Sequence, residues 1–198
     1  MSTEEAKKPD FNIETTELEF KYDGSDIKLS KFIDFANSHK PVKRVEGSGW
    51  DYYYSGDGQD FEFIRFRQGG IAELTIKIKS SEKNNNNRFE LDLPLSMNVS
   101  QWLVTKFVSL FGFKENFRVF KYFDIYWFDK VDIVYYTIYN KDMVELGRRV
   151  EIEARKDYPF QSAEEALNEV KAMEQLMAEI GITPQKRMKK SMWEQFRK

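Results

Sequence analysis

At 198 residues, with 41% hydrophobic and 16% aromatic side chains, the chain is long enough for one full core and too apolar to be disordered. Its formal charge of −2 gives no overall field toward nucleic acid or an anionic membrane, so a bound polyanion would need positive charge gathered locally. With no cysteine, and a single histidine (His39) in a polar stretch before Pro41, disulfides, zinc–thiolate sites and thiol catalysis are excluded and histidine triads disfavoured.

Residues 1–12 read as a disordered leader, and 13–198 as a single domain. Thr15 to Tyr22 alternates like a strand and ends in the turn residues Asp23-Gly24-Ser25. Leu29, Phe32, Ile33 and Ala36 recur at helical spacing over 28–38. A strand-rich block follows: 50–54, 61–68, 72–79 and 88–93, separated by glycine turns and by a loop tip of four asparagines, Asn84 to Asn87. Val99, Trp102, Leu103, Phe107 and Leu110 form one stripe of a second helix over 98–111, which Gly112 stops. Two aromatic strands, 117–128 and 131–139, precede another at 149–155. Ser162 and Glu165 read as a capping box opening a third helix to about residue 180, with Met173, Leu176 and Met177 facing the core. A charged tail over 186–198 ends in a short helix. The strand connections are mostly of hairpin length, which predicts an antiparallel α+β domain. The polar N-terminus and the lack of any run of about 20 apolar residues predict a cytoplasmic chain without a membrane span.

Along a strand, side chains alternate between the two faces, so the residues between the apolar ones share a face. Glu17, Glu19 and Lys21 alternate with Leu18 and Phe20; Arg65 and Arg67 with Ile64 and Phe66; Lys77 and Lys79 with Ile76 and Ile78. Arg88, Glu90 and Asp92 alternate with Phe89 and Leu91, and Glu151 and Glu153 with Val150 and Ile152. A solvated face explains one such strand. Five, with acids on the first and last and bases on the middle two, point instead to the lined interior of a closed barrel. Carboxylates two residues apart can share a hard cation, and arginine pairs supply bidentate donors to phosphate. Facing rows of this kind would grip a polyphosphate and stabilise charge developing at phosphorus. Unliganded, Arg65 beside Arg67 and Lys77 beside Lys79 crowd like charges, so truncating an arginine should leave stability unchanged or raised.

The segment Glu17-Leu18-Glu19-Phe20-Lys21 resembles the ExExK signature of the CYTH, or triphosphate tunnel metalloenzyme, family of class IV adenylyl cyclases, thiamine triphosphatases and inorganic triphosphatases. The order of later segments is similar too: Asp51 to Tyr54, Ile64-Arg65-Phe66-Arg67, Leu74 to Lys77, Arg88-Phe89-Glu90, Leu146-Gly147 with Val150 to Glu153, and Lys190 to Glu194. The resemblance spans residues 14–196. It implies a tunnel of about eight antiparallel strands with flanking helices. It further implies metal ligation of Mg²⁺ or Mn²⁺ by Glu17, Glu19, Glu151 and Glu153, triphosphate binding by Arg65, Arg67, Lys77, Lys79 and Arg88, and catalytic roles for Lys21 and Lys121. The implied activity is metal-dependent hydrolysis of a nucleoside, thiamine or inorganic triphosphate, or of an RNA 5′-triphosphate. An adenylyl cyclase, or a protein that binds triphosphate with weakened catalysis, are the alternatives; DNA is not an expected partner, and the chain would be a monomer or homodimer. Two departures stand out. Phe123 occupies the place of an arginine two residues after Lys121. The acid usual on the next strand is absent from 134–139, and neither Asp132 nor Asp142 is in convincing register.

Overall fold

The structure, a computed structural model, describes residues 16–56, 61–78 and 88–197; the expected leader and Lys79 lie outside the described residues. Nine strands form one antiparallel sheet: β1 (Thr16–Glu17), β2 (Glu19–Asp23), β3 (Lys43–Ser55), β4 (Phe61–Gly69), β5 (Ala72–Ile78), β6 (Arg88–Pro94), β7 (Lys114–Trp127), β8 (Val131–Tyr139) and β9 (Glu145–Ala154). Their order is β1-β6-β5-β4-β3-β7-β8-β9-β2. The two ends of the sheet are therefore halves of one extended segment. Its first part pairs with β6 (Glu17 opposite Arg88) and its second with β9 (Glu19 opposite Glu153). Leu18 bridges them, its carbonyl accepting from Ala154 N at 2.9 Å. Counting that segment once, eight strands curl into a tunnel, as expected.

β3 begins seven residues before the predicted strand and runs through Gly47 and Gly49. Gly49 serves close approach: a Cβ there would lie 2.7 Å from Gln68 O and 2.9 Å from Gly69 Cα.

Four helices flank the sheet: α1 (Leu29–Ser38), α2 (Gln101–Ser109), α3 (Ala163–Met177) and α4 (Met192–Phe196). Outward side chains of β2, β8 and β9, such as Phe20, Ile133 and Ile152, pack under α1 and α3. Tyr52, Tyr54, Phe66 and Leu74 pack under α2. The predicted stripe of α2 is corrected. Val104 and Val108 face the sheet, while Trp102, Leu103, Phe107 and Leu110 are exposed, because the helix is apolar on both sides and periodicity alone cannot choose between them. In α3, Met173 and Met177 are buried as predicted but Leu176 is exposed. Ser162 accepts from Glu165 N at 3.1 Å, whereas the Glu165 carboxylate reaches Gln161 N rather than closing a reciprocal box. The reciprocal box is at α4, between Ser191 and Glu194.

That box fixes the start of α4 so that Trp193 enters the barrel. Its ring lies 5.3 Å from Phe63, 5.7 Å from Phe117 and 6.4 Å from Tyr53. With Val119, Tyr136 and Ile138 these rings form an apolar stopper inside one end of the tunnel.

Candidate functional site: a charged tunnel

Beyond the stopper the barrel encloses a cavity of about 600 Å³ lined by the inward residues of all the longer strands. Its described lining includes eleven acidic and seven basic side chains. Glu17, Glu19, Lys21, Arg65, Arg67, Lys77, Lys121, Glu151 and Glu153 all line it, so nine of the proposed site residues share one cavity. Of Arg88 the structure describes the backbone, which pairs with Glu17.

The bases are matched with acids. Both oxygens of Glu17 accept from Lys77, whose Nζ is also 2.7 Å from Glu90. Lys21 bonds to Glu19 and reaches Glu151 at 3.1 Å; Tyr136 donates to Glu151 at 2.6 Å. Arg67 binds Asp51 through two nitrogens, at 2.8 and 3.2 Å, and Lys121 binds the same carboxylate at 2.7 Å. Arg65 donates to Thr75 at 2.8 Å, but its Nε is buried with no partner. The crowding of like charges expected from the sequence is thus offset by acids on facing strands.

Asp51, Glu90 and Lys156 were not apparent as site residues. Asp51 is hidden in the aromatic run of β3, although it shares the inward parity of Tyr53. Glu90 has inward parity on β6 and is quoted within a motif, yet only the fold shows it meeting Lys77. Lys156 follows β9 and crosses to Glu90 at 2.8 Å and to Asp92; no pattern in the sequence signals that contact.

Electrostatics divides the tunnel into two regions. Burial alone would raise the Asp51 carboxyl, but Arg67, Lys121 and Arg65 overcome it and hold the group well below the usual range. Burial lowers Lys121 to about 8, with Asp51 opposing and Arg67 adding to the fall. The second region is a cross-strand row of acids. Glu19 lies opposite Glu153 in the β2–β9 pairing, and Glu153 opposite Asp132 in the β8–β9 pairing. Directly opposed like charges are unfavourable. Burial, then Glu17, pushes Glu19 up to about 7; burial pushes Asp132 up to about 7; burial, then Glu19, raises Glu153 well above the carboxylate range. Asp132 Oδ1 is buried without a partner, and the charge of Lys156 opposes the rise at Glu153 only in part. Asp132 is thus in register with the other acids after all, while Asp142 lies in the exposed turn between β8 and β9.

No three acidic or imidazole side chains among the described residues are already grouped to hold a metal ion. The donors nonetheless fit a hard cation that takes one or two carboxylates and completes its shell with phosphate oxygens and water. The orphaned Asp132 oxygen, and Glu153 crowded against Glu19, are what such a cation would satisfy.

These raised acids give a pH prediction. In each, the folded state holds its proton to higher pH than the unfolded chain, so stability declines as pH rises from about 4 through 7. Without divalent cations, the melting temperature should fall by roughly 5–10 °C between pH 5 and 8, the equivalent of about 2–3 kcal/mol. If the row takes up a cation, saturating Mg²⁺ or Mn²⁺ should remove most of that fall, since binding would displace the protons. A flat profile without metal would contradict the assignment of the row.

No family model matches the sequence, and no curated protein matches it. Solved structures do. A conserved hypothetical protein of Pyrococcus furiosus aligns at 20% identity and TM-score 0.65, over 89% of this chain and 97% of that one. A "putative adenylate cyclase" of Vibrio parahaemolyticus aligns at 11% identity and TM-score 0.65, over 90% and 95%. A chain of the Schizosaccharomyces pombe Mediator head module aligns at 11% and 0.61, over 83% and 95%. One fold in such different settings does not assign an activity. In fold as well as in the order of its motifs, the chain resembles the CYTH, or triphosphate tunnel, proteins.

Proposed function

We propose that the chain is a metal-dependent hydrolase of a triphosphate-containing substrate held inside the tunnel. The observation that carries this reading is the juxtaposition of the two regions. The Glu19–Glu153–Asp132 row sets three buried carboxyl groups side by side, and it shares one cavity with Arg65, Arg67, Lys77 and Lys121. Arg65, with a buried Nε free to donate, binds a phosphate oxygen, and Arg67 and Lys121 hold adjacent oxygens at the edge of their contact with Asp51. Lys77 and Lys21, bonded to Glu17 and Glu19, would be available to phosphate oxygens if those carboxylates held a cation. Mg²⁺ or Mn²⁺ held by Glu19 and Glu153, with Glu17, Glu151 and Asp132 in support, would neutralise phosphate charge and orient the chain of phosphates. Water attacks the terminal phosphorus and gives up a proton to solvent, the bond to the bridging oxygen breaks, and the leaving diphosphate carries away negative charge that the arginines stabilise. The stopper around Trp193 closes one end, so substrate enters from the other.

A second reading, binding without efficient turnover, is favoured by Phe123, which lines the tunnel where the resemblance calls for an arginine. Phosphate release from tripolyphosphate, ATP, thiamine triphosphate and a 5′-triphosphorylated RNA, each with Mg²⁺ or Mn²⁺, separates the readings. We expect metal-dependent release from at least one. Tight binding without release would favour the second reading, and cyclic AMP from ATP would show a cyclase. Neither binding nor release would overturn the tunnel assignment. No helix among the described residues is long and apolar enough to cross a membrane; a cytoplasmic location and small-molecule or RNA triphosphate partners belong to the same proposal.

A further inference from the structure

Helix α2 carries apolar side chains nearly all the way round. Val104 and Val108 pack on Tyr54, Phe66 and Leu74 of the sheet. On the outward side Trp102, Leu103, Phe107, Leu110 and Phe111 are each 52–81% exposed. Leu103, Phe107 and Leu110 have the i, i+4, i+7 spacing of a helix–helix seam, and the Phe107 and Phe111 rings meet edge to face at 5.3 Å. A helix apolar on both sides is built to be covered on both. Leu93 lies opposite Leu74, on the sheet face that α2 covers, and is itself exposed.

We propose that this face is a homodimer interface, with α2 of one copy packed against α2 of a second across a twofold axis. With ~150–250 Å² for each large side chain, the five helix residues expose roughly 600 Å² of apolar surface. Leu93 and the exposed Met97 extend this toward the ~800 Å² that each partner of a standard interface buries, beyond the ~300–600 Å² patch of an ordinary monomer. The face suits a second copy because it is self-complementary. Lys106 is the one charged residue in α2, so apposing the seam on itself buries no column of like charge, and an isologous contact needs only this one patch. An anionic lipid surface would call for a basic rim, whereas Lys114 and Glu115 follow the helix with opposite signs and the chain as a whole is acidic. The inference is independent of what the tunnel binds.

Sedimentation velocity of the full chain from about 1 to 100 µM, the concentration span over which an interface of this size is sorted from a weak contact, should show twice the 23.6 kDa chain mass. Leu110→Glu, at the most exposed position of the face, should give a monomer with an unchanged circular dichroism spectrum. Because the chain has no cysteine, Leu110→Cys offers a second readout. Oxidation should yield a covalent dimer rapidly, whereas Lys141→Cys, on the exposed β8–β9 turn, should not. A wild type that is monomeric throughout, a Leu110→Glu dimer, or equal cross-linking by the two cysteine variants overturns the proposal. So does a monomeric wild type that binds phosphatidylserine vesicles through this face.

Discussion

Asp51→Ala should cost about 3–5 kcal/mol of unliganded stability, the scale on which removing one member of a buried charge set is felt. Asp51 is 1% exposed and answers two cations directly, Arg67 and Lys121, with Arg65 a third nearby. Without it, three positive groups face one another in a site too enclosed for water to screen them. Arg67→Met is milder, because Asp51 keeps Lys121, and its cost should be about 1.5–3 kcal/mol, the range for a hydrogen bond to a charged group. This reverses the expectation from sequence that truncating an arginine would relieve repulsion; the relief is already supplied by Asp51. The tunnel reading adds a second measurement. Tripolyphosphate brings the negative charge that the variant lacks, so it should raise the melting temperature of Asp51→Ala by more than that of the wild type. Thermal melts of the three proteins with and without tripolyphosphate check both parts. An Asp51→Ala protein within 1 kcal/mol of wild type would mean that the cluster is solvated rather than buried.

What the sequence made legible follows from strand geometry. Period-two alternation is a local property, so the inward parity of Glu17, Glu19, Arg65, Arg67, Lys77, Glu151 and Glu153 could be read directly, and it places all seven in one cavity. Which residues face each other across the barrel is a matter of register between distant strands, and register is not local. That is why Asp51 is hidden among tyrosines in the sequence, and why only the pairing of β8 with β9 places Asp132 opposite Glu153. The same limit explains α2: its period is plain, but which of two apolar sides meets the sheet depends on tertiary packing. Glycines are legible only in part, for a related reason. Gly69-Gly70 turns the chain from β4 into β5 as expected, but that Gly49 and Gly69 also lie too close for side chains depends on how β3 pairs with β4.

Glu153→Gln is expected to move activity and stability in opposite directions. If Glu153 holds the cation, losing its charge while keeping its volume should reduce metal-dependent phosphate release by about 100-fold or more, since even supporting residues of metal sites are worth ~10–100-fold. Yet in the unliganded protein the ionised group is a liability: it lies opposite both Glu19 and Asp132, and the charge of Lys156 does not outweigh burial and Glu19. Glutamine imitates the protonated form that burial and Glu19 already favour. The variant should therefore be about 1–2 kcal/mol more stable than wild type near pH 8, within the range typical of relieving a strained functional site. Because the folded-state pKa of Glu153 is raised, its ionisation destabilises the fold only above the unfolded value. The gain should shrink as pH falls toward 4.5 and vanish below it. Saturating Mn²⁺ should stabilise the wild type and leave the variant almost unmoved. Melting curves across pH, with and without Mn²⁺, are read beside phosphate release. Loss of activity with loss of stability would reduce Glu153 to a structural residue. A stability gain with undiminished turnover would take the cation away from this row and return the catalytic question to Glu17 and Glu151.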